Sequence, residues 1–230
     1  MKQKYFQIKV VVLSLGMFAF TSCNDFLDRE PLDKITPEIY FANEGDLAAY
    51  SLGCYNFATY NPDEFSIGPM ANDNGTDNQA ASSGNTALWV PGEKRVPEKD
   101  GAWDFTAIRK ANYFFERVLP KYEAGTISGS EENIRHYIGE MYFMRAYNYY
   151  SKLVSLGDFP IITETLPDDH ETLTKASIRR PRNEVARFIL DDLDKAINMM
   201  LETSPNGKNR LSKKLHYYLN LVLLCLKGLG

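Results

Sequence analysis

One segment constrains the fold more than any other, because its apolar residues recur at helical spacing on more than one side. It reads SEENIRHYIGEMYFMRAYNYYSKLVSLGDFP, from Ser130 to Pro160. The main apolar stripe holds Ile134, Ile138, Tyr142, Ala146, Tyr149, Leu153 and Leu156. Further apolar residues widen that stripe, as in a helix buried on several sides. We therefore predict a central helix that Ser130 caps and Gly157 ends, with Gly139 allowing close approach of a neighbour.

Three other segments show the helical apolar period. The first begins near Glu44, with Asn43 as its cap, and is predicted to reach about Tyr60. The second runs from Trp103 to Tyr122. Its tryptophan falls on the predicted buried stripe, and its end is limited by Pro120.

The third of these segments starts at Asn183 and ends at the turn Ser204-Pro205-Asn206-Gly207. Its charged residues are predicted to face mostly outward, and they are Asp191, Asp192, Asp194 and Lys195. Residues 166–182, which precede it, are predicted to form a polar loop. Because each helix needs a neighbour to cover its apolar face, the sequence predicts an all-α helical-repeat architecture.

A long polar stretch, residues 61–101, separates the first two helices. It is rich in Asn, Asp, Gly, Ser and Pro and has no apolar period, which is typical of a functional or mobile surface loop. Trp89 in this stretch either packs onto the core or presents a flat platform for a sugar ring. The polar candidates for bonding sugar hydroxyls in the same stretch are Asn72, Asp73, Asp77 and Arg95.

The first 22 residues have the pattern of a secretory signal: three lysines, an apolar run, and small residues before a cut. The run is too short to span a bilayer. Phe20-Thr21-Ser22-Cys23 resembles a bacterial lipobox, and acylation at Cys23 would anchor the chain to a membrane. The alternative is ordinary cleavage near Ser22, with Cys23 left free.

Charge and residue content exclude several classes of function. Removing a leader with three lysines leaves 23 basic against 30 acidic residues, so nucleic acid is not an expected partner. The three histidines have no second ligand at metal spacing, and no metal or cofactor is predicted. The pairs Asp168-Asp169 and Asp191-Asp192 are interpreted as solvated acid, because adjacent carboxylates on a helix point apart, unlike the opposed pair of a glycosidase. No enzymatic activity is predicted.

Four stretches, taken in order, resemble the amino-terminal half of the SusD/RagB family of outer-membrane lipoproteins. They are CNDFLDREPLD at Cys23, the Trp103–Asn112 pattern, the segment GEMYFMRAYNYYSKLVSLGDFPII, and RRPRNEVARFILDDLDKAINMM. The Arg145-Ala146 step followed by aromatics and Leu-Gly-Asp-x-Pro is the most specific piece.

This resemblance implies a tetratricopeptide-like helical fold with long surface loops, and a role at the cell surface. The implied role is to bind an oligosaccharide or other nutrient without cleaving it, and to deliver it to a SusC-like TonB-dependent transporter in the outer membrane. The expected organisation is a signal peptide (1–22), a tether (23–43), a helical domain (44–214) and a tail (215–230). The alternative is a helical-repeat scaffold lipoprotein of the envelope that binds no nutrient.

The tail departs from the family pattern. NRLSKK begins the family's next segment, but LHYYLNLVLLCLKGLG does not continue it. Codons read from one nucleotide earlier at Lys214 can encode a family-like helix, so we expect a frameshifted, truncated copy. A genuine short paralogue with an apolar final helix is the alternative.

Overall fold

The computed structural model describes residues 40–55, 103–205, 207 and 210–215 of the chain. The chain divides into Met1–Tyr40 and a second unit, Phe41–Gly230, which carries all the helices that follow. They are α1 (Glu44–Gly53), α2 (Thr106–Glu123), α3 (Glu131–Leu156), α4 (His170–Ala176) and α5 (Arg182–Met199), then a 3-10 turn at Lys213–Leu215. Over these ranges the backbone forms helices and isolated bridges but no strand, so the predicted all-α class is confirmed.

Helix α3 lies at the centre, as predicted, and packs against α1, α2 and α5. Ser130 caps it by accepting the N–H of Asn133 at 3.4 Å, and Gly157 ends it with a φ of 75°. Gly139 lies where the end of α5 meets α3. A Cβ at this position would be 2.9 Å from Met200 Cγ and 3.1 Å from the Met200 backbone nitrogen, so the predicted close approach is confirmed.

Helix α1 begins as predicted and ends earlier. The side chain of Asn43 accepts the N–H of Asp46 at 3.1 Å. After Gly53 the chain tightens, because the N–H groups of Cys54 and Tyr55 bond to carbonyls three residues back, at 3.1 and 3.2 Å. The predicted extension to Tyr60 is therefore wrong at residues 54 and 55, and residues 56–60 lie outside the described part of the chain.

Helix α2 begins three residues later than predicted and ends at Glu123, one residue beyond the predicted Tyr122. Asp104 accepts hydrogen bonds from the backbone N–H and the hydroxyl of Thr106 at 2.8 and 2.6 Å, so the helix begins at Thr106 and leaves Trp103 outside it. Trp103 is 42% exposed, and its predicted place in the core is wrong. Pro120 lies in the last turn, as predicted, and the helix ends three residues after it; the Pro120 carbonyl still accepts the N–H of Ala124 at 3.0 Å.

The predicted polar loop at 166–182 contains the short helix α4. Asp169 caps it by accepting the N–H of Thr172 at 2.9 Å. None of its residues is buried, which explains why no apolar period indicates it in the sequence. One antiparallel bridge joins the segment before α4 to the segment after it. In this bridge Phe159 and Arg180 exchange backbone hydrogen bonds of 3.2 and 3.1 Å.

Helix α5 confirms the last predicted helix, with Val185, Ile189 and Leu193 buried. Its acidic residues are not all exposed. Asp192 is completely buried, so the prediction that it faces solvent is wrong, and its carboxylate is held by Arg145 of α3. Among the described helices, none is both long enough and apolar enough to cross a bilayer.

Candidate functional site

A buried hydrogen-bonded cluster around Arg145 joins α2, α3 and α5. Arg145 donates from Nε to Asp192 Oδ2 at 2.7 Å and from Nη2 to Asp192 Oδ1 at 2.9 Å, which is a two-bonded fork. Its remaining nitrogen, Nη1, donates to the side-chain oxygen of Asn112 at 2.9 Å. The guanidinium carbon also lies 4.5 Å from the centroid of the Phe115 ring. The Arg145 side chain of α3 thereby holds both α2 and α5 against the same position of the central helix.

The same network holds the segment that follows α3. The amide nitrogen of Asn112 donates to the carbonyls of Ile162 and Glu164 at 2.9 and 3.2 Å. The Tyr149 hydroxyl donates to the Ile162 carbonyl at 3.0 Å and accepts the Ile162 N–H at 2.8 Å. Burial raises the pKa of Tyr149 to about 12, so its hydroxyl keeps the proton that it donates.

A second buried cluster surrounds Glu140 of α3. Arg210 donates to its two carboxylate oxygens at 3.0 and 2.6 Å, and the hydroxyl of Tyr55 donates to it at 2.9 Å. His136 lies 3.1 Å away through Nε2, while its Nδ1 accepts the N–H of Leu201 at 3.0 Å. In the neutral imidazole, the proton is therefore on Nε2 and is donated to Glu140. This cluster ties residues 55 and 210 to the central helix.

A small cavity lies where the described structure stops at residue 55 and resumes at residue 103, on either side of a gap that includes residues 61–101 with the predicted ligand contacts. The cavity has a volume of about 160 Å³. Its walls include residues from both ends of the gap, namely Cys54, Tyr55, Asp104 and Thr106, together with Lys110 and Asn148. The Tyr55 hydroxyl also accepts the N–H of Leu211 at 3.1 Å, so the end at residue 55 is fixed.

At the other end of the gap the structure presents an exposed aromatic surface. We call Trp103, Phe105, Phe159 and Arg179 the aromatic face. The Phe159 ring stacks with Trp103 at a centroid distance of 5.2 Å and with Phe105 at 4.8 Å, both at an interplanar angle of 18°. Arg179 places its guanidinium carbon 5.5 Å from the centre of the Trp103 ring. Phe159 is buried, whereas Trp103 remains accessible.

A cavity of about 250 Å³ adjoins the aromatic face through Phe105. Its walls combine apolar side chains, among them Ile108 and Leu173, with Arg109 and Glu164. Arg109 donates from Nη1 to the Leu166 carbonyl at 2.6 Å. Apolar surface with a few placed polar groups is typical of small-ligand sites.

The predicted site residues and the described structure do not overlap. Trp89, Asn72, Asp73, Asp77, Arg95 and Cys23 all lie outside the described residues. The aromatic face is a feature that the sequence reasoning missed. A signal was available, because Asp104 can form a local turn by accepting the N–H of Thr106, two residues on, and such a turn places Trp103 before the helix.

The buried carboxylates of the frame already have positive or hydrogen-bonding partners. Glu140 is held by Arg210, and Asp192 by Arg145. Across the described ranges, no three His, Cys, Asp or Glu side chains cluster at metal-binding distance. The open surfaces instead offer ring stacking and hydrogen bonding, which suit reversible binding.

The chain is similar to known proteins over most of its length. A family model described as "Starch-binding associating with outer membrane", of SusD-like type, matches residues 25–218. A SusD-like protein from Bacteroides ovatus is 26% identical over 211 residues, which are 89% of this chain and 37% of that protein. The chain thus spans less than two-fifths of the length of this curated relative.

Solved structures share the fold. A SusD-like protein from Bacteroides fragilis superposes with a TM-score of 0.57 at 24% identity, over 85% of this chain and 37% of that one. A SusD-like carbohydrate binding protein from Bacteroides vulgatus gives 0.54 at 16% identity, over 82% of this chain and 42% of that one. The fold is therefore the helical, tetratricopeptide-like fold of these structures.

Replacing Asp192 by Ala should destabilise the protein strongly. The change leaves the Arg145 guanidinium buried without its carboxylate, which typically costs about 3–5 kcal/mol. Asp191, its exposed neighbour on α5, provides the matched control, and Asp191→Ala should change the free energy of unfolding by less than about 0.5 kcal/mol. Urea unfolding followed by circular dichroism measures both. Equal effects of the two substitutions would contradict the structural role of the pair.

Glu140 should make stability depend on pH in the acid range. Burial raises the pKa of its carboxyl, but hydrogen bonds from His136 and Arg210 and the charge of Arg210 outweigh burial, so the pKa lies below its ordinary 4.5. The unfolded state then binds the proton more readily than the folded state. The stabilisation is complete above pH 4.5 and is lost as pH falls through the folded-state pKa.

Urea midpoints measured from about pH 6 to about pH 3 test this dependence. Glu140→Gln should lower the midpoint at neutral pH and flatten its decline in acid, whereas exposed Glu132→Gln should leave the wild-type slope. A Glu140→Gln profile parallel to that of wild type would show that another group causes the acid dependence.

Proposed function

The chain belongs to the SusD-like family, and from that membership we propose a cell-surface lipoprotein that binds glycans or other oligomeric nutrients. In this proposal it passes them to a SusC-like, TonB-dependent transporter of the outer membrane. It binds its ligand without cleaving it. The observation that carries the proposal is the family match over residues 25–218 of a chain with the helical fold of SusD-like structures.

The helical frame supports a binding role through its rigidity. The Arg145 cluster fixes α2, α3 and α5. Arg210 links Glu140 of α3 to α1, where it also donates to the Ala48 carbonyl and the Ser51 hydroxyl. The stretch with Trp89 and its polar neighbours joins this frame at Tyr55 and Trp103, which are both held by contacts to other elements. A rigid scaffold that carries variable loops is a common arrangement for binding proteins.

Membrane attachment is proposed to occur through Cys23. The residues before it resemble a lipoprotein signal, and those after it are polar and acidic. Several acyl chains on one cysteine hold a protein on a bilayer far more firmly than one chain does. In this proposal the anchor holds the helical unit at the membrane surface.

The anchor proposal predicts that Cys23→Ala abolishes acylation. In a bacterial host that processes lipoproteins, the wild-type chain should incorporate radiolabelled palmitate and sediment with outer membranes, and the variant should do neither. Half-buried Cys54 provides the control, and Cys54→Ala should retain both properties. Palmitate incorporation by the Cys23→Ala variant would contradict the assignment.

The binding proposal predicts measurable affinity of the full chain for at least one oligosaccharide in a broad panel, by titration calorimetry. Trp89→Ala should weaken that binding about 2- to 12-fold if one stacking contact of about 0.5–1.5 kcal/mol is lost. Exposed Asp191→Ala on α5 serves as the control and should not change the affinity. Absence of binding to every glycan and peptide tested would favour a scaffold role in the envelope.

A further inference from the structure

A run of exposed arginines adjoins the aromatic face. Arg179, Arg180 and Arg182 are all solvent-exposed, between α4 and the start of α5. In the described part of the chain, the ion pairs involve other cations, and none of these three arginines has a carboxylate partner within salt-bridge distance. They therefore retain their donors for an external group.

The backbone places this run directly beside the aromatic rings. Arg180 is bridged to Phe159 by two backbone hydrogen bonds, of 3.2 and 3.1 Å. Two residues later, the N–H of Arg182 donates to Asp158 at 2.9 Å. Arg179 lies over the exposed Trp103 ring. The accessible indole and the Arg179 guanidinium thus share one surface, and the exposed residues Arg180 and Arg182 follow on the adjoining backbone.

The charge of this surface differs from its surroundings. The complete chain has a net charge of -4, so a local excess of unpaired arginine is not a general property of the protein. On neighbouring α4, Lys175 is paired with Glu171 at 2.6 Å. The nearby carboxylates of Asp158 and Asp104 already accept hydrogen bonds, from the Arg182 N–H and from Thr106.

We infer that the aromatic face, which includes Arg179, forms a subsite for an acidic oligosaccharide together with Arg180 and Arg182. Such an oligosaccharide carries carboxylate or sulfate groups. The C–H face of a sugar ring packs against the accessible part of Trp103. The anionic group of the sugar receives paired N–H donors from a guanidinium, whose planar fork matches carboxylate and sulfate oxygens. The inference rests on the proposed function and adds the substrate class.

The test compares charged and uncharged forms of the same oligosaccharide on the full chain by titration calorimetry. An oligogalacturonate is paired with its methyl ester, and a sulfated galactan oligomer with its desulfated form. The charged member of at least one pair should bind at least about tenfold more tightly, as expected for charge-assisted hydrogen bonds. The difference should shrink in high salt because exposed charges are screened.

Variants locate the effect on the surface. Arg179→Gln and Arg182→Gln should each remove most of the preference for the charged form, while Arg179→Lys should keep part of it. Trp103→Phe keeps a ring against Phe159 and should weaken both forms. Arg135→Gln is the control, because this exposed arginine lies five residues into α3, about 30 Å from the Phe159 end of that helix. Circular dichroism confirms that each variant is folded.

The outcomes separate this inference from the proposed function. Equal binding of charged and uncharged forms, or a charge preference that Arg179→Gln and Arg182→Gln leave intact, overturns the acidic-glycan subsite and leaves glycan binding standing. No binding to these four probes or to the broad glycan panel overturns both. Sedimentation with phosphatidylglycerol vesicles that requires Arg179, without glycan binding, would assign the surface to a membrane and overturn the inference as well.

Discussion

The fork between Arg145 and Asp192 is the interaction on which the rest of the structure depends. Burying two charges is costly, and this cost is offset only when the geometry is good and the remaining donors are satisfied. Both conditions are met, because Arg145 makes two bonds to Asp192 and gives its last nitrogen to Asn112. These hydrogen bonds are directional and fix the positions of the helices along one another, because apolar packing alone would tolerate sliding. Through Asn112 the same bonds fix the segment after α3, and with it Phe159.

The sequence predicted those elements whose stability comes from a buried apolar face. The central helix, the last helix and the caps at Asn43 and Ser130 follow from period and capping chemistry. Asp192 shows the limit of that reasoning. Its position is three residues after Ile189 and one before Leu193, which places it on the buried face of α5. Because aspartate is usually exposed to solvent, the sequence predicted an exposed Asp192. Only the structure shows that Arg145 of α3 pairs with it and makes its burial possible.

The remaining errors have local causes. Helix α4 has no buried face, so no period marks it. The prediction placed Trp103 in the core because of its apolar character and did not consider the turn that Asp104 forms with Thr106. The site candidates of residues 61–101 remain predictions, since side-chain chemistry in a loop does not fix the positions of the residues relative to one another.

The arginines of this protein divide by burial, and the division explains where a ligand can be recognised. Arg145 and Arg210 are enclosed, and each is committed to a carboxylate within the fold, because an unpaired charge in the interior would destabilise it. Their hydrogen-bonding capacity is used for structure. Charge available to a ligand must therefore lie outside the core, and Arg179, Arg180 and Arg182 meet that requirement. Their segment is bridged to Phe159, which belongs to the segment that the buried network holds. A rigid buried network that holds the segment, and exposed arginines without carboxylate partners, are together the conditions for selective binding at a surface.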